Sequence, residues 1–202
     1  GSGISGWTIH ASATLERGVQ SAPEPPEVDE APAAGLDPDD LYRRLRSAGQ
    51  QHGAAFRGIV GLTVFGSGAA RAAVRLPSEA KQGSGRFQLH PVMVDIALQA
   101  LGATKVATDL AGEGSDESTV VLPVRLAGIR VYGDVTEGVC AIGMLMATSS
   151  PDRFVGRVML TGADGQVLLD IDEIDMVVLR APGARNGLAS HMFTLEWEPV
   201  DL

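Results

Sequence analysis

The sequence predicts an α+β fold in which a curved antiparallel β-sheet wraps around one long central α-helix. Three observations carry this expectation. Residues 91–107 hold the densest apolar stretch of the chain, "PVMVDIALQALGATKVA", with apolar side chains on nearly every side of a helical axis. A helix of that kind has to be covered, not merely laid on a surface. From residue 119 onward the chain turns β-branched and alternating, in runs separated by turn residues. The one other clear helix pattern, "DPDDLYRRLRSAG", is short and amphipathic.

The elements follow in order. "GSGISG" reads as a flexible leader similar to an expression scar. "WTIHASATL", 7–15, has the β-branched content of a strand. Residues 16–36 are acidic and rich in proline, with Pro23, Pro25, Pro26 and Pro32 among alanines and acids, and read as an extended linker. A linker so placed leads us to expect a further segment upstream of Trp7. Asp37 is an N-cap candidate, Pro38 suits the first helical position and Gly49 a stop. "HGAAF" is a short turn. "IVGLTVF" and "AARAAVRL", joined by "GSG", form a hairpin, and "PSEAKQGSGR" a loop. After the apolar helix and a loop at 110–118, strands are expected in "TVVLPVRLAGIRVYG", "GVCAIGMLMAT", "FVGRVMLTG" and "VLLDIDEIDMVVLR", with "SPDR" and "ADGQ" as turns and a last candidate strand at "FTLEW". The alternation in "LDIDEIDM" gives that strand one wet face. One helix with five or six antiparallel strands is the hotdog arrangement. The expected organisation is a leader and remnant strand at 1–15, the linker at 16–36, a hotdog domain at 37–183 and an exit segment at 184–202.

Composition narrows the function classes. A chain of 202 residues, 45% hydrophobic, can bury a core without staples. Its single cysteine, Cys140, excludes an internal disulfide and sits in an apolar run as a small hydrophobe. The net charge is −9, and residues 16–40, with eight acids and one arginine, carry −7 of it. The folded body is therefore nearly neutral, without the basic, aromatic-studded face of a nucleic-acid binder. No signal peptide or membrane-spanning run is present, so a soluble, cytoplasmic protein is expected. Four histidines and one cysteine lack metal-ligand spacing, and no nucleotide loop occurs.

The anomaly is Asp95, a carboxyl group on the most apolar helix. Pro91 suits the first turn of that helix, which places Asp95 in the second. Gln99 lies at i+4 on the same face, and the i+7 position, Gly102, has no side chain. Apolar surroundings favour the neutral acid, while the nearby helix N-terminus favours the carboxylate. If desolvation wins, Asp95 is the protonated group that general-acid catalysis requires, and Gln99 holds one of its oxygens. The competing reading is structural: an aspartate near a helix start often satisfies backbone N–H groups or meets an arginine. His90, just before Pro91, reads as a loop or capping residue.

"LHPVMVDIALQAL" resembles the HPxxxDxxxQ motif of dehydratase domains in modular polyketide synthases, matched here by His90, Pro91, Asp95 and Gln99. "LRSAGQQHGAAFRGI" is similar to the family's aromatic-Gly-Pro-x-Phe segment, with Phe56 at the phenylalanine. "VVLPVRLAGIRVYG", "WTIHASATL" and "FTLEWEPV" resemble further family segments in the same order, so the resemblance spans most of the chain. It implies a double hotdog that removes water from a β-hydroxyacyl group carried on the phosphopantetheine of an acyl carrier protein, giving an α,β-enoyl thioester. No bound cofactor or metal is implied. A histidine of the first hotdog takes the α-proton. An aspartate of the second, matching Asp95, protonates the departing hydroxyl, and the residue matching Gln99 orients it. His90, Pro91, Phe56 and His52 become candidates for the substrate pocket.

Two departures stand out. The family's histidine signature of the first half is absent, since His10, His52 and His191 have no such surroundings. In "QHGAAF", His52 replaces the family's tyrosine and Ala54 its proline; on general grounds a surface or packing role for His52 is favoured over a pocket role. The chain thus resembles the second, C-terminal hotdog alone, a part of a hydro-lyase without its base and inactive in isolation. Its expected partners are the N-terminal hotdog half, the acyl carrier protein and, through the uncovered face, a second copy of itself. The alternative is a non-catalytic packing or docking module that shapes an acyl tunnel. A stand-alone hotdog thioesterase fits less well, because those proteins are shorter and lack the acidic linker.

Overall fold

Pro91 opens the helix around which the chain is arranged. Its ring lacks the N–H that a first turn cannot use, and the His90 carbonyl accepts the first helical bond, from the Val94 N–H at 3.1 Å. The structure, a computed structural model, describes residues 11–18, 21–28, 31–47, 50–111, 119–146 and 153–180. The elements in chain order are β1 (Pro32–Leu36), α1 (Pro38–Ser47), β2 (Ile59–Phe65), β3 (Ala69–Val74), α2 (Pro91–Ala111), β4 (Thr119–Val131), β5 (Cys140–Leu145), β6 (Arg153–Thr161) and β7 (Val167–Arg180). Single 3₁₀ turns lie at Ala54–Phe56, Ser78–Ala80, Ser84–Arg86 and Val135–Glu137. The strands form one seven-stranded sheet in the order β1-β2-β3-β5-β6-β7-β4, each neighbouring pair antiparallel. This is the hotdog fold expected from the sequence.

Differences from expectation lie at the edges. Residues 11–15 form no strand, and Leu15 is almost fully exposed. No sheet edge meets them, and a lone strand is not stable in water. Residues 7–10, the loop at 112–118, residues 150–152 of the "SPDR" turn and "FTLEW" lie outside the described residues. The last five residues of the expected linker instead form β1, pairing Leu36 with Leu62 and Gly35 with Thr63. Pro32 is tolerable there because β1 is an edge strand, and the register shifts between Pro32 and Ala34. The helix α2 runs four residues past its predicted end, to Ala111.

The sheet covers most of α2 but not all of it. Met93, Ile96, Ala97, Ala100 and Leu101 are fully buried against β2, β3, β5 and β6. Pro91, Val94, Asp95, Leu98 and Gly102, one stripe along the helix, are not buried. The expectation of a helix covered on nearly all sides is therefore corrected. One curved sheet encloses the face it curls around, and the stripe opposite it stays open.

Glycine sets the distance between helix and sheet. A Cβ on Gly143 of β5 would lie 2.7 Å from the Cα and N of Leu101. One on Gly156 of β6 would lie 2.5 Å from the Leu101 methyl carbons. Leu101 is seated in the space these two residues leave empty. On the outer face, Asp170 of β7 is buried where a wet position was expected. Its carboxylate accepts from Arg157 Nε at 3.0 Å and Nη2 at 2.8 Å, and Arg130 of β4 pairs with Asp172, so β4, β6 and β7 are tied across the sheet. Gly143→Ala is expected to push the helix backbone away and to cost about 1–3 kcal/mol, typical of overpacking. Its urea unfolding midpoint should fall below that of the unmodified chain.

Candidate active site

Four segments meet at the second turn of α2. The first is α1, whose start is fixed by Asp37: its Oδ1 accepts from the Asp39 N–H at 2.8 Å. The helix is amphipathic, with Leu41 and Tyr42 buried and its arginines outward. Tyr42 thus enters the core with a hydroxyl that needs partners. It has two. Its Oη accepts from the Ile59 N–H at 3.1 Å, at the start of β2, and donates to Gln99 Oε1 at 3.0 Å.

Gln99 is buried and has only one possible orientation. Its Nε2 donates to the Phe56 carbonyl at 3.0 Å and to Asp95 Oδ2 at 2.7 Å. A carbonyl can only accept, so Nε2 must face Phe56 and Oε1 must face the Tyr42 hydroxyl. The result is a directed chain of hydrogen bonds from the Ile59 N–H through Tyr42 and Gln99 to Asp95. Each donor in such a chain strengthens the next. Burial pushes the Tyr42 phenol above its usual range and the Asp95 carboxyl adds to that, while the Ile59 N–H and the Arg57 guanidinium, 4.7 Å from the ring centroid, act against it.

Asp95 occupies the border between this network and solvent. Its Oδ2 is held by Gln99, and among the described residues its Oδ1 accepts no hydrogen bond. The side chain is 39% exposed, not dry as an apolar helix alone suggested. It lines an open concavity of about 340 Å³ whose other walls are Leu89, Pro91, Val94 and Leu98. The open stripe of α2 is thus an apolar groove with one carboxyl group at its side.

The predicted site residues divide. Asp95, Gln99, Phe56 and Pro91 come together, Phe56 through its backbone carbonyl and Pro91 as part of the groove. His52 also comes in, with Nε2 3.8 Å from Asp95 Oδ2 and its side chain largely buried. His90 does not join them. It is buried on another side, edge-on to Phe87 with ring centroids 5.4 Å apart. As a residue just before the helix it points away from the stripe that begins at Pro91. His10 and His191 lie outside the described residues. Tyr42 is the residue that sequence reasoning missed. Its signal was a lone aromatic beside Leu41 on the apolar face of an otherwise arginine-rich helix. Among the described residues no cluster of histidine, cysteine, aspartate or glutamate could hold a metal, and no helix is long and apolar enough to cross a membrane.

A family model described as "Polyketide synthase dehydratase N-terminal domain" matches residues 20–186, which include every residue of this network. The chain belongs to the polyketide synthase dehydratase family. Among its relatives, a phenolphthiocerol/phthiocerol polyketide synthase of Mycobacterium tuberculosis is 55% identical over the whole of this chain, which spans only 10% of that protein's length. The solved dehydratase domain of PpsC from Mycobacterium tuberculosis, in complex with C12:1-CoA, is 59% identical with a TM-score of 0.66. That match covers 77% of this chain and 56% of the solved one, so the chain corresponds to about half of that domain. An inactive aspartate-to-asparagine mutant of the CurK dehydratase matches at 25% identity and a TM-score of 0.60, covering 74% of this chain and 50% of that one.

Tyr42→Phe is expected to leave Gln99 Oε1 and the Ile59 N–H unsatisfied in a buried site, a loss of about 1–3 kcal/mol measurable by chemical denaturation. A second expectation concerns alkaline pH. The folded-state Tyr42 titrates above the unfolded value, so its contribution is complete below about pH 10 and fades as pH rises through the folded value. Tyr42→Phe should flatten the alkaline limb of stability against pH.

Proposed function

We propose that this chain is the acid-bearing second hotdog of a polyketide synthase dehydratase, with Asp95 as the general acid in water elimination from a β-hydroxyacyl thioester on an acyl carrier protein. One observation carries the reading: Asp95 lines an apolar groove with one oxygen fixed by Gln99 and, among the described residues, no hydrogen bond to the other. The groove suits an acyl chain, and the free oxygen suits a leaving hydroxyl. The C–O bond breaks as Oδ1 gives its proton, so water departs instead of hydroxide. Negative charge then develops on the carboxyl group, where the Gln99 N–H already points, and that preorganised donor stabilises it without rearrangement. The α-proton goes to a base on the other side of the groove, a histidine contributed by the first hotdog.

The binding of C12:1-CoA by the PpsC dehydratase domain supports an acyl thioester as the substrate class, and the inactive CurK variant supports an essential aspartate in the family. The matching family model carries the description of an N-terminal domain. We assign the second half nonetheless, because the motif residues Asp95 and Gln99 are present and joined, whereas no histidine sits in the first-half signature. The sheet edge supports a partner half. Among the described residues β4 pairs with β7 alone and exposes Leu122, Val124, Ile129 and Val131, an apolar edge of the kind another strand covers.

The decisive experiment joins this chain to its upstream half and follows enoyl thioester formation from a β-hydroxyacyl thioester. Asp95→Asn should lower kcat by about 10²–10⁴-fold, the range for loss of a positioned acid. Turnover unchanged by Asp95→Asn would refute the assignment. Lysine at both Val124 and Ile129 is expected to weaken complementation by the separate upstream half in a titration, while the unfolding midpoint of the chain itself stays within about 0.5 kcal/mol equivalent.

A further inference from the structure

His52 is unexplained by the motif, yet its imidazole stands beside the proposed acid. Its Nε2 lies 3.8 Å from Asp95 Oδ2, and its ring stands tilted against Tyr42 with centroids 6.1 Å apart. The ring is anchored among buried groups, with only 17% of the side chain exposed. Its other nitrogen decides its chemistry. Nδ1 is buried and has no hydrogen-bond partner among the described residues. A proton on Nδ1 would be a buried donor without an acceptor and would turn the bare Nε2 lone pair toward the Asp95 oxygen, whereas a proton on Nε2 points a donor at that oxygen. The neutral ring therefore carries its proton on Nε2, the nitrogen that faces Asp95.

That tautomer excludes one role and supplies another. A general base needs a free lone pair on the nitrogen facing the substrate, and Nε2 has none. A donor directed at Oδ2 is what remains. We infer that His52 is a positioning residue, a second N–H donor that with Gln99 holds Asp95 Oδ2 and steadies the carboxylate formed when Oδ1 gives up its proton. At 3.8 Å the two groups are not hydrogen-bonded, and the inferred contact forms when that separation shortens by about 1 Å in the reacting complex. Both donors address the same oxygen, so the proton to be transferred is confined to the other. The inference rests on the proposed function above and deepens it by naming what completes the hold on the acid.

The test uses the complete dehydratase domain, both halves together, with a β-hydroxyacyl thioester. Three substitutions separate donor from filler. The amide nitrogen of His52→Gln reaches the place of Nε2. That of His52→Asn reaches only as far as Nδ1. His52→Phe fills the volume without donating. His52→Phe and His52→Asn are expected to lower kcat about tenfold, the worth of one hydrogen bond made mainly in the transition state, with KM changed less than about twofold. His52→Gln should recover kcat to within about threefold of the unmodified domain. Equal kcat in His52→Phe and the unmodified domain overturns the inference, as does a His52→Gln that folds normally by circular dichroism but is as slow as His52→Phe. Asp95→Asn in the same assay separates the two levels. If it is inactive while His52→Phe is fully active, only the role of His52 falls. If it is fully active, the proposed acid falls and His52 with it.

Discussion

The hydrogen bond from Gln99 to Asp95 is the contact on which the site depends. It is short and local, four residues apart on one helix, yet it is directional only because of what lies behind it. Phe56 presents a carbonyl that cannot donate, and Tyr42 presents a hydroxyl that can. Together they prevent the amide from flipping, and a flipped amide would set its own oxygen against the carboxyl group. Residues from α1, from the turn before β2 and from α2 are thereby committed to one geometry. The backbone N–H of Ile59 completes the chain, so the start of a core strand is coupled to the orientation of one carboxyl group.

The helix can carry this group because the sheet secures its other side. Leu101 sits where Gly143 and Gly156 have no side chains, which brings α2 close to β5 and β6 and fixes its rotation. Once that rotation is fixed, the stripe from Pro91 through Val94 and Asp95 to Leu98 must face away from the sheet. Burial of the apolar face and exposure of the acid have the same cause. An aspartate one position earlier or later on the helix would point into neighbouring territory, because successive helical residues differ by roughly 100° in direction.

Much of this was legible in the sequence. The hairpin of β2 and β3, the long strands β4 and β7 and the apolar helix follow from periodicity and turn residues that local chemistry dictates. The pairing of Asp95 with Gln99 follows from their spacing alone. What was not legible depends on contacts between distant segments. Pro32–Leu36 lies in a proline-rich acidic stretch, and only the free edge of β2 makes it a strand. The dryness expected for Asp95 was an inference from its helix neighbours, while exposure is set by what covers the stripe. Tyr42 and His52 reach the site from 57 and 43 residues away in the chain, and the periodicity of their segments does not say that α1 and the turn before β2 end beside α2. His90, adjacent to the motif, is directed elsewhere by the geometry of the helix start.

The groove beside Asp95 is open, and its lining comes from a single helix and the segment just before it. Leu89, Pro91, Val94 and Leu98 offer a surface that any methylene chain could lie along. The carboxyl group and the apolar stripe beside it ride on one helix, so any shift of α2 against the sheet moves both together.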